Sequence, residues 1–238
     1  MPNISPKVSN ELQTHLERAQ ALHDFIDKAL PESPSLDSDE RILVVSLLSL
    51  VQEHHAAILH LLRSGIFDGS ALALVRSVVE GTFRAHWVYT AAKPATLVRI
   101  RNGGNCFPGL MTMADQIEKK MGTQVGFLRG IEPYIGAMHG YTHGGYEQLF
   151  RRFDEEGNVT ANYTDEEKRA AIYATTANFT GLAIAWCQLV STEPSETDSR
   201  SKAISDRFIE MYGEVRASDR PSNRVKLKEL LETRCSDF

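Results

Sequence analysis

The chain has 238 residues, 42% of them hydrophobic and 24% charged, with a formal net charge of −5. That mixture excludes a disordered chain, a collagen-like repeat and a coiled-coil rod, and the length suits one large domain that folds without covalent staples. Three cysteines, Cys106, Cys187 and Cys235, stand far apart with no C-x-x-C, so neither a disulfide framework nor a zinc ribbon is predicted and a reducing cytoplasm is the expected location.

The first residues lack the apolar stretch of a signal peptide, and charges or histidines interrupt every run that approaches about 18 apolar residues. No membrane partner is therefore expected. The charge is uneven: residues 1–53 carry −5, residues 54–152 carry +5 and residues 153–238 carry −5, with six of the eight histidines in the basic middle. This reads either as chance or as a middle third that faces an anionic ligand.

The periodicity is helical almost throughout. Residues 9–30 place Leu12, Leu16, Ala19, Leu22, Phe25 and Ile26 at three-to-four spacing behind a Ser9 cap, and PESPS at 31–35 ends that helix. Asp37 with Glu40 resembles a capping box for a helix over 38–64, closed by Gly65. A third helix is predicted over 68–92, ahead of Pro94. Shorter ones follow at 94–101 and 108–121, and another runs from Gln124 to Gly144-Gly145. Residues 146–163 read as an irregular or hairpin segment around Gly157-Asn158. Thr164 with Glu167 caps a long helix to Val190, and helices over 196–216 and 223–233 complete the chain. The fold predicted is all-α: one bundle of six to eight helices over residues 1–217, with residues 218–238 as a polar tail bearing a short helix. The predicted helices 38–64 and 68–92 form its central antiparallel pair, because only a few residues join them.

The third helix is apolar on every side, with Leu72, Val75, Val78, Val79, Phe83, Trp87 and Val88 spread around the wheel, which is the pattern of a central buried helix. Yet Arg76, Glu80 and Arg84 stand one turn apart within about an 80° arc, and His86 lies on the same helix. Glu80 is expected to bridge the two arginines. The cluster reads either as a buried network that fixes helix register or as the floor of a polar pocket with an arginine free for an anion. On the second helix His54 and His55 sit among apolar neighbours. Each reads as a satisfied core histidine or as a contributor to that pocket.

Residues 136–145, GAMHGYTHGG, put His139 and His143 on one helical face, with Gly136 and Gly140 beside them to let a neighbour approach. Histidines at this spacing suit packing, ligand binding or a metal. The glutamate of H-E-x-x-H is missing and no E-x-x-H occurs, which argues against a di-iron bundle. Arg151 and Arg152 follow closely and bias the segment towards anions. No G-x-S-x-G elbow and no P-loop is present, and Cys106 stands in a loop-like setting without a histidine partner.

The run HHAAILHLLRSGIFDGSALALVRSVVEGTFRAHWVY, followed by MHGYTHGG and an arginine pair, resembles a family of uncharacterised bacterial all-helical proteins over residues 50–165. More loosely the arrangement is similar to HEPN domains, nucleotide-binding helical bundles some of which are metal-independent ribonucleases of toxin and defence systems. Their active site spaces an arginine and a histidine as R-x4–6-H. Arg18 and His23 have that spacing but lie in an ordinary amphipathic helix, while Arg76 to His86 and Arg129 to His139 are too long.

The leading functional expectation is a pocket for an anion, such as a nucleotide or RNA phosphate, built from Arg76, Glu80, Arg84, His54, His139 and His143. No cofactor is expected, and no catalytic residue is assigned. Were the site catalytic, a histidine would serve as general acid or base and an arginine would stabilise phosphorane-like charge. Its partners would be an anionic small molecule or RNA, and a homodimer is one open assembly. Two alternatives stand beside it: a non-enzymatic interaction module in which the cluster is structural, and a mononuclear metal site at His139 and His143 completed by Glu80 or His54.

Overall fold

A computed structural model of the chain describes residues 8–32, 34–122, 128–145, 148–149, 151–153, 162–191 and 194–218. Eight α-helices are found among them: α1 (Asn10–Ala29), α2 (Asp39–Ser64), α3 (Asp68–Thr90), α4 (Pro94–Arg101), α5 (Leu110–Met121), α6 (Glu132–Thr142), α7 (Asp165–Val190) and α8 (Pro194–Ser218). A 3-10 turn, Leu128–Ile131, leads into α6. No strand occurs among the described residues, so the all-α expectation holds. The turn proposed around Gly157 and the helix proposed over 223–233 lie outside the described residues, as does the tail beyond Ser218.

Local chemistry sets the helix ends. Ser9 caps α1 through a bond from the Leu12 amide, and Thr164 caps α7 in a full capping box with Glu167. The expected box at Asp37 and Glu40 is not formed. Ser38 is the cap of α2, accepting from the Arg41 amide at 3.2 Å, while Asp37 pairs with the Arg41 guanidinium at 3.1 Å. Ser38 wins because it is the residue directly before the first helical position, where a short hydroxyl reaches the exposed amides. At its other end α2 stops at Gly65, whose φ of 68° is a conformation that side chains rarely adopt.

The core is a three-helix centre of α2, α3 and α7, with α1 laid across α2 and α7, α8 across α7 and α1, and α5 and α6 against α3. The α2 stripe Val44, Leu48, Val51, His55, Ile58, Leu59 and Leu62 recurs at three and four residues, and all of it is buried. Trp186, Phe179, Leu16, Ile58 and Tyr212 are fully enclosed, and each such apolar side chain contributes about 1.5–3 kcal/mol of transfer free energy. The α2–α3 crossing is close: a Cβ on Gly81 would stand 2.8 Å from Val51 Cγ2, so no larger residue fits there without movement. Among the described residues, α2 is the one helix long and apolar enough to cross a membrane; here its apolar stripe packs on α1, α3 and α7.

Candidate functional site

The stripe Gly69, Ala73, Arg76, Glu80 and Arg84 runs along one side of α3, and α6 with the residues after it lies antiparallel on its first half. Gln148 donates to the Gly69 carbonyl (3.4 Å), Thr142 Oγ1 to the Ala73 carbonyl (3.3 Å), and Arg76 Nη1 meets His139 Nδ1 at 2.5 Å. Thus the sequence brings Arg76, Glu80, Arg84 and His139 together as expected, and His143 lies beside His139 with ring centroids 4.4 Å apart. Glu80 is the bridge: Arg76 Nε donates to its Oε1 at 2.7 Å, and Arg84 Nη2 to its Oε2 at 3.2 Å.

The cluster is not sealed. The Arg76 and Glu80 side chains are 25% and 23% exposed and Arg84 is 39% exposed, so of the two readings the sealed network gives way to a partly exposed cluster. The exposure belongs to one side of α3 alone, because Val78, Val79, Phe83 and Ala85 between these charged residues are buried. Arg84 lies over the Phe107 ring, 5.1 Å from its centroid, a cation–π contact with the segment before α5. Its Nε is enclosed without a hydrogen-bond partner among the described residues. Phe107 in turn meets the edge of Trp87, whose indole N–H donates to Gln116 at 2.6 Å.

Two positive guanidiniums share one carboxylate, which leaves a formal excess of one positive charge on a half-exposed stripe. His86, on the same helix, adds none: burial pushes it down to about 4. The arginine–histidine contact also fixes a tautomer. Arginine has only donors, so His139 Nδ1 is the acceptor and any ring proton of the neutral imidazole sits on Nε2.

His54 is half-buried on α2, and no hydrogen bond among the described residues joins it to the cluster. Its neighbour His55 is the buried one. His23 of α1 and His55 face each other Nδ1 to Nδ1 at 2.9 Å, and His55 Nε2 lies 3.0 Å from Thr176 Oγ1 of α7. That hydroxyl already donates to the Ile172 carbonyl at 2.6 Å, so it accepts from His55 Nε2–H, and His23 Nδ1–H donates to His55. Phe179 packs on both rings. Burial pushes His55 down to about 3, with His23 adding to the effect, and burial also lowers His23 against the opposing pull of Asp24 and Asp27. This pair ties three helices together and lies apart from the α3 stripe.

Of the two glycines expected to admit a neighbour, Gly140 is buried, but Gly136 is exposed and a Cβ there would meet nothing within 4 Å. Among the described residues no group of three His, Cys, Asp or Glu side chains converges, so His139 and His143 have no third ligand of the kind the metal reading needed.

A second polar cluster at the start of α3 was not legible in the sequence. Asp68, almost fully buried, pairs with Lys168 of α7 at 2.7 Å. Arg151 pairs with Glu167, which also accepts from Tyr141 at 3.4 Å and caps its own helix. Tyr163 closes the group: a Cβ on Gly69 would lie 2.7 Å from its hydroxyl. No spacing rule links residues about a hundred positions apart. The sole hint was that Asp68 opens an apolar helix, where a carboxylate faces the positive helix end.

The fold and the stripe together define an all-α bundle protein with a solvent-reachable arginine–glutamate–histidine cluster on a central helix. The chain belongs to DUF6988, a family of unknown function whose model matches residues 48–211, from within α2 to within α8, and so includes the whole cluster. No curated protein and no solved structure matches it.

Proposed function

We propose that the chain binds an anion at the Arg76–Glu80–Arg84 stripe, with His139 and His143 at one end and Phe107 at the other. The observation that carries this reading is the shared carboxylate: among the described residues, two guanidiniums on one partly exposed face have a single anionic partner between them. Arg76 uses Nε and one Nη1 hydrogen internally, so its remaining hydrogens are available to a ligand oxygen. Arg84 contributes a guanidinium already held over an aromatic ring. Bidentate and planar donor sets of this kind suit phosphate and carboxylate, and the ligand class favoured is a phosphate, as part of a nucleotide, an RNA backbone or a smaller metabolite. The loose similarity to HEPN bundles points the same way at the level of fold alone, and the departures from their arginine–histidine spacing give no ribonuclease residue to assign.

A second reading keeps one observation of its own. Arg76 is already engaged by Glu80 and His139, as a structural network in a non-enzymatic interaction module requires. Thermal-shift measurement with inorganic phosphate, pyrophosphate, ATP and a short RNA separates the two. At about tenfold excess over Kd a bound anion adds about 1.4 kcal/mol, a rise of about 3–6 °C for a chain of this size. The rise is expected for at least one probe and is expected to vanish in Arg76→Met. No rise with any probe, on a protein of full stability, favours the interaction module.

A further inference from the structure

We infer that the anion site takes up a proton with its ligand: His139 is a proton-coupled latch on Arg76, so that anion binding and His139 protonation favour each other. This rests on the anion-site reading and adds its regulation.

The argument begins with the 2.5 Å contact between Arg76 Nη1 and His139 Nδ1. A guanidinium has no lone pair to offer, so the contact exists only while His139 Nδ1 is unprotonated. A proton placed there would set N–H against N–H and a second positive charge against the first. Protonated His139 and the closed Arg76–His139 contact are therefore mutually exclusive. An anion resolves the conflict. An oxygen seated between the two groups accepts from Arg76 Nη1–H and from His139 Nδ1–H together, replacing the lost contact with two charge-assisted bonds.

The surroundings decide how many protons move. Of the elements packed against α6, α3 brings Arg76 and Glu80 to this end, and Glu80 is occupied at both oxygens by Arg76 and Arg84. From α7, Glu167 reaches Tyr141 of α6 and is taken up by Arg151, Tyr141 and its own helix start. The 3-10 turn lies at the opposite end of α6, two helical turns from His139. On α6 itself Glu132 and Tyr134 lie at the far end, about one and a half to two turns from His139, Tyr141 is directed to Glu167, and among the described residues the C-cap residue His143 has its ring against His139. With the rings 4.4 Å apart, a proton on one opposes a proton on the other, so the pair takes about one proton per anion rather than two. Among the described residues, the carboxylates of Glu80 and Glu167 are already engaged by other partners.

The coupling is reciprocal, so lowering the pH must tighten anion binding by the same factor that the anion favours protonation. The test is isothermal titration of the full chain with sulfate, which does not itself titrate near neutrality, at pH 5.5, 6.5, 7.5 and 8.5. Buffers of different ionisation enthalpy count the protons taken up. The expected result is a Kd that weakens by up to about tenfold per pH unit on the alkaline side, about one proton absorbed per sulfate, and both effects abolished in His139→Gln. Glutamine still accepts from Arg76 but does not titrate, so that variant tests the latch without removing the contact. Sulfate binding with a pH-independent Kd, or a pH dependence unchanged in His139→Gln, overturns the latch and leaves the anion site standing. No sulfate binding at any of the four pH values removes the anion site, and the latch with it.

Discussion

Acidification should strain the joint between α1, α2 and α7 before it affects most of the bundle. His55 is enclosed between His23, Thr176 and Phe179, with both ring nitrogens engaged by neutral partners. Burial takes it from 6.5 in an unfolded chain to about 3 in the folded one. The folded state thus binds fewer protons than the unfolded state between these values. Stability is complete above 6.5 and falls as the pH drops towards 3. One pKa unit corresponds to about 1.4 kcal/mol, so by pH 5 this residue alone removes about 2 kcal/mol, a substantial part of an ordinary 5–15 kcal/mol. Urea denaturation of the wild type and His55→Gln at pH 7.5 and 5.0 reads the effect directly. Other groups titrate in both proteins, so the informative quantity is the difference in their losses. The wild type should lose about 2 kcal/mol more than His55→Gln over that interval. Equal losses would mean that the imidazole reaches water, and the closed His23–His55–Thr176 chain would be wrong.

Further outcomes follow from the geometry. Glu80→Gln should cost about 1–2 kcal/mol by chemical denaturation, below the 3–5 kcal/mol of a fully buried pair, because all three side chains reach solvent; a loss above that range would mean a sealed network. The same variant should tighten anion binding, since it removes the competing carboxylate. Lys168→Met should be the more damaging change, at about 3–5 kcal/mol near neutral pH, because it leaves the buried Asp68 carboxylate unpaired, and Asp68→Asn in that background should recover much of the loss. Gly81→Ala should destabilise by about 1–2 kcal/mol despite alanine's better helix propensity, because its Cβ meets Val51. Val51→Ala should offset that cost in a double-mutant cycle, and additivity of the two changes would argue against the close α2–α3 approach.

What the sequence reveals and conceals follows from the range of the interactions involved. Helix positions are legible because periodicity and caps are local: Ser9, Gly65, and Thr164 with Glu167 mark their ends from within four residues. The start of α2 was misassigned because four polar residues, Ser35, Asp37, Ser38 and Asp39, crowd one turn, and only the folded backbone selects Ser38. The Arg76–Glu80–Arg84 ladder is also local, one turn per step, and was read correctly as a bridge. Its burial was left open between a sealed network and a pocket floor, since that depends on which neighbouring helices cover that side of α3. His54 and His55 are equivalent by composition. They differ because His55 meets His23 and Thr176, residues 32 and 121 positions away. The Asp68–Lys168 pair was hidden for the same reason.

The central claim is that the α3 stripe holds an anion, and the most direct measurement of it is nitrogen NMR of the arginine Nε–H and histidine ring resonances during titration with pyrophosphate. Saturable shifts confined to Arg76, Arg84, His139 and His143, and absent in Arg76→Met, are the expected result. Resonances at these four residues that stay fixed while pyrophosphate reaches millimolar concentration, or that shift equally in Arg76→Met, would contradict it.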